Sequence, residues 1–240
     1  TKNLISCPSV TPEDAGAQAI LKTYLSAAGF VCHDLPFGGD DGKARIENLY
    51  ARFGNTGKHL CYAGHTDVVP AGDENAWTHG AFKPHVQDGV LYGRGASDMK
   101  GSVAAFTIAA VEFVKAHPEF DGSISLLITG DEEAESVNGT VKVLEWMADN
   151  SQIPDVALVG EPTNPEYIGQ EIKIGRRGSL NGHLTVKGKQ GHVAYQKLAK
   201  NPLPDLVKML DILGTHKFDM GNFFFDPTNL EITTIDVGNQ

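Results

Sequence analysis

The sequence predicts an α/β fold, with a mixed, largely parallel sheet between helices, followed by a smaller α+β domain. Two observations carry this. Short apolar runs alternate with helix-patterned segments up to about residue 160, and the polar/apolar texture changes after residue 173. "TPEDAGAQAILKTYLSAAGF" reads as a capped helix: Thr11 and Asp14 resemble a capping box, Pro12 suits the first helical position, and Gly29 ends it. Strand-like runs follow at Asn48 to Phe53 and His59 to Ala63, then a polar loop through Trp77. A hairpin comes next, with Asp88-Gly89 at its turn. "GSVAAFTIAAVEFVKAH" is a helix with an apolar face broad enough to lie on a sheet. "SISLLIT" (123–129) and "DVALVG" (155–160) are continuous apolar runs of the kind expected for strands covered on both faces, with a helix between them near Val141 to Met147. Beyond the change, "GSLNGHLTVKGKQGHVAY" mixes polar and apolar residues as a half-exposed antiparallel strand does. A helix opened by Pro202 and Pro204 follows, and "NLEITTIDVG" is again strand-like. The expected domains are therefore 1–177 and 178–240.

Composition narrows the function. Across 240 residues the formal net charge is −10, and no basic stripe is present to neutralise phosphates, which argues against nucleic-acid and anionic-membrane partners. Cys7, Cys32 and Cys61 form no CxxC and fit buried thiols in a reducing compartment, so the expected location is the cytoplasm. No apolar stretch reaches the roughly 18 residues of a membrane span.

Four clusters fall after apolar segments or in the loop feeding a buried helix. They are His65-Thr66-Asp67, Asp98 in "GRGASDMKG", Asp131-Glu132-Glu133, and Glu161 in "GEPT". In open α/β sheets, ligands bind outside the carboxyl ends of the strands, so clusters far apart in sequence can converge. Taken singly, each has a plain reading: an HxD turn, a helix cap, a solvated acidic run, a Glu-Pro turn. Taken together they imply several carboxylates in one small volume, a repulsion relieved by cations or by raised pKa values. Imidazole with carboxylates and no cysteine suits zinc, with manganese and cobalt as alternatives. His65, Asp98, Glu133 and Glu161 exceed the three ligands one catalytic zinc needs, which favours two ions about 3.5–4 Å apart, bridged by Asp98. Adjacent side chains point apart, so of Glu132 and Glu133 one can hold metal while its neighbour accepts a proton from water. Asp67 is placed to hold the His65 imidazole in one tautomer. His192, flanked by glycines in "KGKQGHVAY", is harder to assign to the surface than the other histidines.

The series "GHTDVVPAG", "GRGASDMKG", "TGDEEAESVNGT", "GEPT", "GRRGS" and "GKQGHVAY" resembles the di-zinc aminoacylase and carboxypeptidase G-like hydrolases, in order, from "PSVTPEDAG" to the end of the chain. The first four motifs are shared across that group. The "NGT", "GRRGS" and "GHVAY" elements point to its branch that removes succinate from N-succinyl-LL-2,6-diaminoheptanedioate in lysine and diaminopimelate biosynthesis. The resemblance implies a zinc-exopeptidase-like catalytic domain at 1–177 and a lid/dimerisation domain at 178–240. It implies two zinc ions, with cobalt or manganese as substitutes, held by His65, Asp98, Glu133 and Glu161, with Asp98 bridging. Glu132 becomes general base and acid, and Asp67 the residue orienting His65. His192 becomes an oxyanion donor reaching a partner's site in a homodimer. Arg176 and Ser179 contact a small-molecule N-acyl amino-acid substrate.

The pattern departs at Gln196, where proline is usual in that group. The resemblance further implies that segments are missing at both termini, including a returning one that completes the sheet and brings the second zinc's histidine. The 240 residues alone are then expected to be inactive or poorly folded. Alternative readings are another deacylase, such as one acting on N-acetylornithine, and an inactive truncated metal-binding module.

Overall fold

The computed structural model describes residues 1–40 and 42–238. They divide into two compact units, Thr1–Glu171 and Ile172–Gln240.

The first unit opens with a short helix α1 (Lys2–Ile5) and the amphipathic α2 (Ala17–Ala27). Strands β1 (Val31–Asp34), β2 (Leu49–Phe53) and β3 (Lys58–His65) follow, then the small hairpin β4 (His85–Gln87) and β5 (Val90–Tyr92). Helix α3 (Gly101–Ala116), β6 (Gly122–Thr129), α4 (Thr140–Asp149) and β7 (Val156–Val159) complete it. The main sheet has the order β1-β2-β6-β3-β7. It is mixed: β1, β2 and β6 pair antiparallel, whereas β6, β3 and β7 run parallel.

Period-two alternation sends each strand's side chains to opposite faces. On β6, Ile124, Leu126 and Ile128 join Leu21 and Leu25 of α2 and Val103, Val111 and Val114 of α3 in one core. Leu127 faces the other way and meets Tyr50, Cys61, and Val143 and Met147 of α4. Every residue of β6 is buried, as a central strand covered by helices on both sides requires. Among the described residues, no helix is long and apolar enough to cross a membrane.

Two expectations are corrected, and one strand was not anticipated. The helix anticipated from Thr11 begins at Ala17, because the Asp14 carboxylate accepts the amides of Gly16 (2.9 Å) and Gln18 (3.1 Å) and so caps a later turn. The run at 155–160 forms β7 but is exposed rather than buried: it is an edge strand, bonded only through β3, and Val156 is 60% exposed. Strand β1 carries too little apolar pattern in "VCHD" to be anticipated; it forms because β2 offers it an antiparallel edge.

In the second unit, α5 (Leu203–Thr215) forms behind Pro202 as expected. The two anticipated strands do not form among the described residues; only an isolated bridge, Lys189 to Lys200, is present. A half-buried strand needs a layer to bury its apolar face, and Leu180, at 97% exposed, meets none.

Candidate metal centre

The parallel pairing of β3 and β6 sets the site. His65, the last residue of β3, lies in register with Thr129, the last of β6, so the loops carrying Asp67 and Glu132-Glu133 leave the sheet side by side. Strand β7 ends immediately before Gly160-Glu161, and Ala63 pairs with Val159, which brings Glu161 to the same end. Asp98 arrives from the irregular turn before α3. That turn is anchored by Met99, which is fully buried and whose Sδ accepts the His65 amide at 3.3 Å. Gly64 makes the approach possible: a Cβ there would stand 2.7 Å from Met99 Cε and 3.1 Å from Val103 Cγ2.

His65 is at the centre and 1% exposed. Its Nδ1 donates to the main-chain oxygen of Asp67 at 2.9 Å, with Asp67 Oδ1 at 3.5 Å. This leaves Nε2 facing Asp98 Oδ1 (3.1 Å), Glu161 Oε1 (3.5 Å) and Glu132 Oε2 (3.9 Å). Two trios, His65/Glu132/Glu161 and His65/Asp98/Glu133, each have ligand atoms within 4.8 Å of one another. The other three anticipated clusters are thus brought around the imidazole of the first.

The electrostatics follow from crowding. Burial opposes a proton on His65, but the hydrogen bond and charge of Asp67, with the charge of Glu161, outweigh it and raise the imidazole to about 9. Burial and the charges of Asp98 and Glu132 push Glu161 up to about 7, against the opposing effect of His65. Glu133 is raised by burial and by the charge of Asp98. Glu133 and Glu161 are pushed towards protonation beside an imidazole that holds its own proton more tightly; a divalent cation would displace these protons and relieve the crowding, so the residues fit such an ion.

Asp67 does more than orient the imidazole. Its Oδ2 accepts the amides of Glu132 (3.0 Å) and Glu133 (2.9 Å), and Oδ1 lies 3.2 Å from the former. Asp98 and Glu132 keep about half of their side-chain surface open, at 52% and 48%, whereas Glu161 keeps 17%. Arg176, Ser179 and His192 belong to the second unit and are exposed there; His192 Nδ1 accepts the amide of Ala194 at 3.1 Å.

One supporting residue was missed and another was left without a role. Lys100 is fully buried, its Nζ donating to the Cys7 carbonyl at 2.9 Å, and burial lowers its ammonium to about 8. Asp131, which reads as part of a solvated acidic run, is 4% exposed. The signal that could have found it is the "NGT" that closes its loop.

The sequence pattern of Peptidase family M20/M25/M40 matches residues 61–238. A succinyl-diaminopimelate desuccinylase of Rhodopseudomonas palustris is 55% identical over 239 residues, covering 99% of this chain and 62% of the relative. One from Rhodospirillum centenum is 56% identical over 238 residues, covering 99% and 61%. The chain thus spans about 62% of the length of these curated relatives. Among solved structures, an M20 family metallo-carboxypeptidase from Sulfolobus solfataricus superposes with a TM-score of 0.63 at 21% identity, over 88% of this chain and 48% of that one. Human carnosine dipeptidase 1 gives 0.56 at 27% identity, over 66% and 36%.

Proposed function

The chain belongs to Peptidase family M20/M25/M40, and from that premise we propose that it carries the metal-binding part of an amide hydrolase that removes succinate from N-succinyl-LL-2,6-diaminoheptanedioate. The observation that carries this reading is the convergence of His65 with Asp98, Glu132, Glu133 and Glu161 at one end of the sheet. The substrate is taken from the names of the bacterial relatives.

Family membership implies a divalent metal, and we assign two zinc ions, with cobalt or manganese able to substitute, to His65, Asp98, Glu133 and Glu161. Bound there, they would supply Lewis-acid charge that acidifies water and polarises the amide carbonyl. The protein's own groups do the rest. Glu132, half open to solvent, accepts the proton that water loses on attacking the carbonyl carbon, then returns it to the nitrogen as the C–N bond breaks. Asp67 fixes the His65 tautomer and holds the Glu132-Glu133 backbone. We assign His192, reaching from a second copy in a homodimer, to the developing oxyanion, a role that suits a preorganised donor. The Arg176 guanidinium, with Ser179 three residues on, matches a substrate carboxylate in shape and charge. Three free cysteines agree with a cytoplasmic location.

The test compares the wild type with Glu132→Gln for bound metal and for succinate release, with N-acetylornithine as competing substrate. The expected result is unchanged metal content, kcat lower by about 10²- to 10⁴-fold, and preference for the succinyl compound. A Glu132→Gln protein that turns over normally contradicts the assignment.

A further inference from the structure

The loop carrying Glu132 and Glu133 is held by a carboxylate that the proposed reaction does not use. Asp131 Oδ1 accepts the amide of Ser136 at 3.2 Å, and its Oδ2 accepts those of Val137 at 2.9 Å and Asn138 at 3.0 Å. Its own amide donates to Thr129 Oγ1 at 3.1 Å, at the end of β6. Three consecutive amides ending on one buried carboxylate close residues 131–138 into a ring. Ser136 is held within it at φ 54°, a left-handed conformation that persists only where the surroundings fix it.

The ring is tied to the body of the unit through Asn138, which is 8% exposed. Its main-chain oxygen accepts Asn48 Nδ2 at 3.0 Å and its Nδ2 donates to the Ala44 carbonyl at 3.3 Å. Gly139 completes the closure: a Cβ there would meet Thr129 Oγ1 at 2.3 Å and the Asp131 carbonyl at 2.9 Å. This accounts for the Asn-Gly pair that follows the acidic run. The Glu132-Glu133 segment is therefore bracketed by two buried carboxylates, Asp67 on its own amides and Asp131 on the amides that return beneath it in sequence.

We propose that Asp131 is a positioning residue for the hydrolysis, setting the placement of Glu133 as ligand and of Glu132 as proton carrier by closing the 131–138 loop. The inference rests on the amide-hydrolase reading above. It predicts that an isosteric change fails, because asparagine offers one acceptor oxygen and presents an NH₂ to at least one facing N–H.

The experiment makes Asp131→Asn in the whole protein and follows three readouts. Zinc affinity and kcat per folded, metal-loaded molecule are expected to fall by about 10- to 100-fold, the range typical for outer partners of metal ligands, with KM within about twofold. In the metal-free protein, the amides of Glu132 and Glu133 are expected to exchange at least about tenfold faster, the opening cost being the lost hydrogen bonds. Lowered thermal stability with affinity, kcat and exchange all within about twofold of wild type would mean a purely structural role and overturns the proposal. If Asp131→Asn does not fold, Thr129→Val, which removes only the acceptor for the Asp131 amide, is expected to move all three readouts in the same direction by a smaller factor; no change in any of them overturns the proposal. A wild type that neither takes up zinc nor releases succinate overturns the amide-hydrolase reading and this inference together, whereas a working wild type matched by the variant overturns this inference alone.

Discussion

Asp67 Oδ2 stands 2.9 Å from the amide nitrogen of Glu133, so a residue following β3 holds in place a residue following β6. The same side chain is 1% exposed and flanks the His65 imidazole. One buried carboxylate thereby couples the nitrogen ligand of the proposed centre to its carboxylate ligand.

Asp67→Ala is expected to leave the amides of Glu132 and Glu133 without acceptors, at a cost of about 1–3 kcal/mol for each buried group left unmade. Zinc affinity should drop by about 10- to 100-fold. Titration of the metal-free protein with zinc, alongside thermal melting, checks both; an unchanged affinity would separate Asp67 from the metal centre.

Gly64→Ala is expected to destabilise the first unit by about 1–3 kcal/mol, because Met99 and Val103 are both fully buried and must yield to the new methyl group. Urea unfolding measures this. Since Met99 also takes the His65 amide, a weaker metal response should accompany the loss.

His59 contributes one separable part of the pH dependence. It is 4% exposed, its Nε2 lies 2.7 Å from Ser125 Oγ, and burial together with the nearby charge of Arg52 lowers its pKa below the usual histidine value. The unfolded chain then binds a proton at higher pH than the folded one. Its contribution to stability is present above the unfolded value of about 6.5 and is lost as pH falls through the window below it. His65 and Glu161, whose pKa values are raised, act in the opposite sense over the same range, so the His59 effect is read as a difference: the denaturant midpoint of the wild type minus that of His59→Gln should fall as pH drops from about 7 to about 5.

Chelation supplies the last of the smaller tests. A ligand that binds only the folded state stabilises it by about 2.7 kcal/mol at one hundred times its dissociation constant. Zinc should therefore raise the melting temperature, EDTA should reverse the rise, and His65→Ala should abolish it.

The fold class and the gathering of the acidic residues were legible in the sequence, and several boundaries and burials were not. His65, Asp98, Glu132, Glu133 and Glu161 follow apolar runs or precede an apolar helix, and the ends of parallel strands meet at one edge, so their meeting could be argued from order alone. The burial of β7 could not, because a run such as "VALV" reads the same at the centre of a sheet and at its edge. The start of α2 was misplaced because Thr11-Pro12 carries the local signature of a helix start, while the capping carboxylate in the fold is Asp14. Asp131 stands in the predicted acidic cluster without a role of its own, because the sequence does not show which amides its carboxylate meets; those of 136–138 do. In the second unit, alternation at 179–195 suggested a strand, but alternation has consequences only where a partner strand and a covering layer exist.

The central claim is that the acidic residues around His65 hold metal while Glu132 stays free to carry protons. Anomalous diffraction at the zinc absorption edge from zinc-loaded crystals tests it most directly. The account predicts two peaks, with Asp98 contacting both, His65, Glu133 and Glu161 completing the ligands from this chain, and Glu132 bound to neither. No peak at this end of the sheet, or a peak ligated by Glu132 in place of Glu133, would contradict it.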